Sequence, residues 1–539
     1  MKSRCAILAL SFAFVLVLLP GVQPRAVDRQ TRNSGAAKPS GHADQLGDVS
    51  FETSCAPAVQ KSFNRAVALL HSFQYEQAGE AFQAVAKQDP QCAMAYWGVA
   101  MTLYHPLWET PGAETLKRGL ETIRKAKSLG AKTDRERDYI AAVEAFYRDS
   151  AKLNHNARAI AYANAMAQVH AHYPRDREGA AFYALSLLGE EPQKDDRLAN
   201  RKQAAAVLEE LFRDDPDHPG AAHYLIHAYD TSELAQLGLP AARRYAKIAP
   251  DSSHALHMPS HIFSRLGLWQ DSIDSNLAAI SAAELPEAVR TGGSHYAMHA
   301  LDFLEYAYLQ SGRTGDAQRV IDEVKTVAGA DASDITNTQA DFGVRYEIEL
   351  HHWSKAASLV APSTDHVGLK AYVGWARVIG AARSGDAAGA QKSIEQLDAL
   401  DAVKHDYPAA FAERERQEAV AWLAYAQGKG DEAVKAMLAV ADREDAAGPE
   451  LLTVPAREML ADMLLELHRP AEALAAYEAS LRVSPGRFDS LYGGLRAAEA
   501  AGDTKKAAAF YSQLLENCGG GAHCDRPELA EVKALLASR

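Results

Sequence analysis

From Pro57 onward the chain is a succession of paired amphipathic segments, closed by short Gly, Pro or Asp breaks, with no run that alternates like a strand. The pairs recur about every 33–45 residues, the period of stacked helical hairpins. One unit reads AVALLHSFQYEQAGEAFQAVAKQDP (66–90) and another ALHMPSHIFSRLGLWQDSIDSNLAAI (255–280). Others are ALDFLEYAYLQSGRTGDAQRVIDEV (300–324), AVAWLAYAQGKGDEAVKAMLAV (419–440) and MLADMLLELHRPAEALAAYEASLRVSP (459–485). Each first helix ends in aromatic or Leu residues and meets a tight turn, for which Gly267, Gly312 and Gly430 are the expected glycines. Glycine takes left-handed dihedrals there without a Cβ clash. Small Ala residues allow the second helix to approach closely, and Pro90, Pro250 and Pro485 end their units. A hairpin of this kind cannot bury its apolar face alone, so the units must stack. The expected fold is therefore all-α. The spacing is irregular around 105–115, 188–198, 230–240 and 441–452.

The two ends add context. Lys2 and Arg4 precede an apolar run from Ala6 to Leu19. That run is short for a membrane span and fits a secretory signal, so residues 1–26 are expected to be a signal peptide, with Ala26 one candidate cleavage position. An uncleaved anchor is the competing reading. Residues 27–50 lack apolar periodicity and are expected to be a disordered linker, leaving 51–539 as the helical-repeat domain. The expected location is periplasmic or secreted, with no membrane contact after signal removal. Without Cys5, the chain keeps Cys55, Cys92, Cys518 and Cys524, an even count that fits disulfides in an exported protein. Proximity favours Cys55–Cys92 and Cys518–Cys524, while CGGGAHC at 518–524 leaves a metal site through His523 as an alternative. The net charge of −13, without a long basic run, argues against a nucleic-acid partner.

The repeat pattern resembles the tetratricopeptide repeat (TPR) family over roughly residues 57–516. The phrases DPQCAMAYWG, HYLIHAYD, HMPSHIF and HALDFLEYAYLQ also resemble a secreted bacterial TPR family with no established activity. The resemblance implies a TPR-like α-solenoid, a right-handed superhelix of about twelve helix pairs, whose first helices line a concave groove. It implies a scaffold that binds a small molecule, peptide or partner protein in that groove, and says little about chemistry.

Within this frame the histidines stand out. Seven of the chain's 20 lie between His223 and His299, where an even spread would place about three. His223/His227 and His295/His299 are spaced i, i+4, and His254/His257/His261 are spaced i, i+3, i+7, so each set shares a helix face. Aligned on Gly267 and Gly312, with Tyr229 as the guide in the preceding unit, these residues fall at groove-lining positions of three consecutive first helices. Neutral imidazoles on adjacent helices can converge on zinc, copper or iron. The expected ligands are His223, His227, His257 and His261, then His295 and His299. His254, Asp230 and Asp302 rank below them, the two carboxylates as orienters of ligand rings. Seven histidines exceed one tetrahedral shell and leave room for a second ion. A polar peptide groove and plain structural packing are the rival readings. Pro259, inside HMPSHI, is expected to kink the helix between His257 and His261.

Other clusters point less clearly to chemistry. His105, Trp108 and Glu109 are candidates for a groove wall, while Tyr96 and Trp97 read as core. Arg137 and Glu144 read as a solvated face, and the adjacent His351 and His352 point to different sides. P-loop, Rossmann, GxSxG and HExxH motifs are absent from the sequence. Two functions are thus carried forward: an exported TPR-like protein with a transition-metal site, enzymatic on a small molecule or peptide, and a metal-free scaffold for a peptide or protein.

Overall fold

The computed structural model describes residues 45–192, 196–401 and 409–537. The expected signal peptide (1–26), Cys5 and residues 27–44 of the expected linker lie outside the described residues. Among those described there is no strand, and the helices pair off twelve times, from Gln60–His71 with Tyr75–Gln88 to Phe488–Ala500 with Thr504–Asn517. A last helix, Pro527–Ala537, follows the final pair. The all-α, TPR-like solenoid expected from the repeat is what the chain builds. No helix of the described residues is long and apolar enough to cross a membrane.

The turn between paired helices follows one backbone rule. The second residue after the first helix's end is left-handed at Gly267 (φ 70°), Gly312 (φ 71°) and Gly428 (φ 77°). The turn glycine of the 409–447 pair is therefore Gly428; Gly430, expected in that role, opens the second helix instead. In three pairs the left-handed position carries a side chain: Phe73 (φ 52°), His351 (φ 54°) and His468 (φ 58°). A bulky residue there is held at a cost of about 1–2 kcal/mol, so its side chain must gain elsewhere.

Local signals set the helices that carry the histidines. Pro219 opens the Pro219–Tyr229 helix at its first turn, and the His218 ring caps it by accepting the Ala221 N–H (3.2 Å). Ser252 accepts the Ala255 N–H (3.2 Å) and starts Ser253–His257. Pro259 has no N–H to continue the ladder, so the helix divides at Met258 and resumes as Pro259–Arg265. The expected interruption between His257 and His261 is present.

Apolar residues gather in three clusters, spanning 46–263, 269–342 and 344–532. The histidine stretch straddles the first two, and Trp108 packs against both. Segments that break the repeat spacing reach across the array. Arg265 Nη1 donates to the Pro449 carbonyl (2.6 Å), and Arg345 Nε to that of Leu452 (3.2 Å). Arg487, fully buried, joins Glu349, Glu458 and the Tyr306 hydroxyl.

The last residues of the expected linker are anchored, not loose. Gln45 N–H donates to Asp251 (2.7 Å), Asp48 N–H to the Asp217 carbonyl (3.0 Å), and Leu46 is buried. Cys55 and Cys92 form the expected disulfide (S–S 2.03 Å). Cys518 and Cys524 are unbonded, contrary to expectation. The loop between them carries three left-handed glycines, Gly519, Gly520 and Gly521.

Candidate metal centre

Six of the seven histidines meet in two groups of three. His223, His227 and His254 form one, and His257, His261 and His299 the other; in each, one ring nitrogen per residue lies within 4.8 Å of the other two. In the first group His223 Nε2 stands 3.1 Å from His227 Nε2 and 3.2 Å from His254 Nε2. In the second, His257 Nε2 and His261 Nε2 are 3.1 Å apart. Two nitrogens bound to one ion at 2.0–2.1 Å in a tetrahedron are about 3.3 Å apart, so these spacings suit a shared cation. The groups are neighbours: ring centroids of His254 and His257 are 6.1 Å apart, and those of His227 and His261 6.2 Å.

The opposite edge of each ring decides which nitrogen is bare. His223 Nδ1 lies 2.6 Å from the His71 carbonyl oxygen, which can only accept, so Nδ1 carries the proton. His257 Nδ1 lies 2.7 Å from Asn276 Oδ1. That amide cannot be turned around, because its Nδ2 donates to the Ser272 carbonyl (2.8 Å). His261 Nδ1 donates to Asp230 Oδ2 (2.8 Å). Burial would raise the Asp230 carboxyl, but Arg265 Nε on its Oδ1 (2.9 Å) and the His261 contact pull it far below the usual carboxylate range. It is therefore an ionised acceptor.

With Nδ1 of His223, His257 and His261 holding the proton, each of these three rings, when neutral, turns a bare lone pair inward through Nε2. Burial favours the neutral form of five of these rings: it lowers His223 to about 3, His299 to about 3, and His227, His254 and His257 well below the ordinary value. When both rings are neutral, His257 and His261 aim lone pairs at one another across 3.1 Å, an arrangement that repels unless a cation, metal ion or proton, lies between them. The acceptors behind the rings are the oxygen partners that hold metal-ligating imidazoles in register.

A phenyl ring covers each group. Phe73 packs on His223, His227 and His254 with centroids at 4.4, 5.6 and 5.6 Å. Phe303 packs on His257, His261 and His299 at 4.9, 4.5 and 5.4 Å. Phe73 reaches this place from the left-handed turn of the first pair, and its carbonyl accepts the Tyr296 hydroxyl (2.6 Å). Trp108 closes another side against His254 (5.2 Å). The expectation of histidines along an open groove is corrected here: His223 and His254 are buried under Phe73, with Trp108 also on His254, and His257 is buried against Phe303.

Individual assignments change accordingly. His254, ranked low, is a full member of the first group. His295, ranked among the ligands, stands outside both; it is exposed and packs on Trp108 and Tyr296. Asp230 orients His261 as expected. Asp302 faces Arg345 (2.7 Å) instead of a ring. His351 stacks on Trp353 while His352 bonds Glu347, so they do point apart. Asn276, Phe73 and Phe303 were not anticipated. Nothing local distinguishes Asn276 from any polar residue on a second helix, whereas Phe73 in a glycine's place in the turn was a readable signal.

A further set, His71, Glu178 and His218, is also buried and close. His218 Nδ1 accepts a backbone N–H, so its Nε2–H donates to Glu178 (3.3 Å). His71 Nε2 donates to the other carboxylate oxygen (2.6 Å), and its Nδ1 accepts the Tyr224 hydroxyl (2.9 Å). Every ring nitrogen has a complementary partner, and Gly220 backs onto the His71 ring so closely that a Cβ would lie 2.5 Å from Nδ1. This network holds the His71 carbonyl that receives His223.

No family model matches the chain, and no curated protein matches it. Solved structures do. The human IFIT1 dimer with m7Gppp-AAAA is 12% identical, covering 79% of this chain and 90% of that one, with a TM-score of 0.37. An IFIT1 monomeric mutant with Gppp-AAAA is 11% identical, covering 83% and 95%, with a TM-score of 0.38. The P58(IPK) TPR domain is 15% identical, covering 67% and 99%, with a TM-score of 0.20. These are likenesses of helical repeats and bear on neither ligand nor chemistry.

Proposed function

We propose that this protein is an exported TPR-like metalloprotein whose two three-histidine groups each bind a transition-metal ion through Nε2 nitrogens. The observation that carries the reading is the facing pair His257 Nε2 and His261 Nε2 at 3.1 Å, each ring's proton committed to an oxygen on its far edge. Imidazole donors without thiolate or carboxylate in the inner set suit zinc, copper or iron(II). Three protein ligands leave a coordination position for water or a small molecule, the arrangement of catalytic rather than structural sites. Asp230 and Asn276 hold the second group and the His71 carbonyl the first.

Elemental analysis of untagged protein after reconstitution tests this. Two ions per chain are expected, falling to one when His257 and His261 are both replaced by Ala. Fewer than about 0.2 ions per chain would sink the metal reading, since a preformed imidazole set should not release its ion at neutral pH. A proton shared between His257 and His261 would then be the cation, and the protein a metal-free scaffold.

A further inference from the structure

A cavity of about 300 Å³ opens beside the second histidine group, with His299 in its wall. It lies between the Gly293–Gln310 and Ala332–Glu349 helices and the start of Val367–Arg383. Its volume is at the low end for small-molecule sites. Met298, Phe342 and Leu369 form an apolar side, and Asp302 and Asp341 face it. Among the described residues lining it there is no Lys or Arg.

Arg345, only 6% exposed, contacts both carboxylates. It approaches Asp302 Oδ1 (2.7 Å), Glu305 Oε2 (2.8 Å) and Asp341 Oδ2 (3.7 Å), and donates to the Leu452 carbonyl. One guanidinium is thus shared by three carboxyl groups and two backbone carbonyls, those of Leu452 and Asp302. Arg345 approaches one oxygen of Asp302 and one of Asp341, and not the second oxygen of either. His366 accepts the Leu369 N–H through Nδ1 (3.0 Å), so a neutral His366 presents Nε2–H. A carboxylate or phosphate entering here would meet like charge, whereas an ammonium group would complete the two carboxylates.

We propose that this cavity is the substrate pocket of the histidine centre and that it recognises a small primary amine carrying an apolar group. The ammonium lies between Asp302 and Asp341, the apolar part on Phe342, Met298 and Leu369, and the molecule reaches the edge of His299. The proposal rests on the metal reading for what stands behind His299, but recognition by the two carboxylates is separable from it.

Calorimetric titration with 2-phenylethylamine, 2-phenylethanol and phenylacetate, three probes of one size, separates the two. The amine should bind at least about tenfold tighter than the alcohol and the acid weakest, with Asp341→Asn and Asp302→Asn each removing that preference. Metal-loaded and chelator-treated protein should bind the amine alike, so this result stands even if the ions prove absent. Asp341 is 39% exposed, so Asp341→Asn gives an answer even where Asp302→Asn disturbs Arg345 and folding. No amine binding, equal binding of the acid, or affinity that ignores Asp341→Asn and vanishes on chelation would each overturn the pocket.

Discussion

Two buried histidine assemblies lie side by side in this protein, and they solve the burial problem in opposite ways. Around Glu178, each imidazole N–H meets an acceptor and each bare nitrogen meets a donor, so the network is complete as protein alone. In the three-histidine groups the outer edges of His223, His257 and His261 are satisfied, and where His257 and His261 are both neutral their inner edges are not: lone pair faces lone pair at 3.1 Å. A count of close His and Glu residues would score the two alike. Proton bookkeeping at each ring nitrogen separates a structural network from a cation site. It also shows their dependence, because His71 serves the first with its ring and the second with its carbonyl.

The comparison can be broken most forcefully by removing metal. Each site should contribute about 4 kcal/mol when free metal is a thousandfold above Kd, so chelation should lower urea-unfolding stability by roughly twice that for two sites. An unchanged midpoint would mean that the lone-pair argument is wrong. Glu178→Ala should cost about 3–5 kcal/mol with or without metal, because it strips the acceptor from two buried imidazoles. If that loss disappears in chelated protein, the Glu178 network belongs to the metal site after all. Asp230→Asn removes the ionised acceptor behind His261 and should weaken only the second site, by about 10–100-fold in a competition titration. Equal weakening of both sites would show that the groups act as one.

The smallest effect concerns acid. Burial holds His223 near 3 in the folded chain, below its ordinary value of about 6.5 in the unfolded one. Between these values the unfolded chain binds a proton that the folded chain refuses, so stability falls as pH falls. The slope from this residue is about 1.4 kcal/mol per pH unit and flattens below pH 3. Glu178 contributes in a lower window: its depressed carboxyl adds stability above its unfolded value that is lost only on further acidification. Denaturation of chelated protein between pH 6.5 and 4.5 should therefore report the histidine groups and not Glu178. His223→Gln should reduce the slope there by about 1.4 kcal/mol per unit.

Much of the architecture was legible because it is local. Helix pairs, turn glycines, Pro-terminated units and the break at Pro259 follow from dihedral preferences and missing donors within a few residues. Gly430 was misassigned to a turn because Gly428 and Gly430 are both near the break, and only backbone geometry chooses between them. Of the site, the i, i+4 pairs were legible because a helix puts those residues on one face. The exchange of His295 for His254 was not. His295 lies a turn before the contact region of its helix, whereas the chain division at Pro259 leaves His254 beside His223; both depend on how helices from different units are set against each other.

Sequence by itself determined that the chain is all-α, that it repeats, and that histidines concentrate in three consecutive units. These are properties of short windows, in which 3.6-residue periodicity and φ preferences suffice. Tertiary structure decided which imidazoles meet, which nitrogen of each is bare, and that phenyl rings from Phe73 and Phe303 cover them. The partners that fix each proton, His71, Asp230 and Asn276, come from different helices and up to 152 residues away. A ring nitrogen's protonation is set by the atom it faces, and that atom is supplied by packing, not by spacing along the chain.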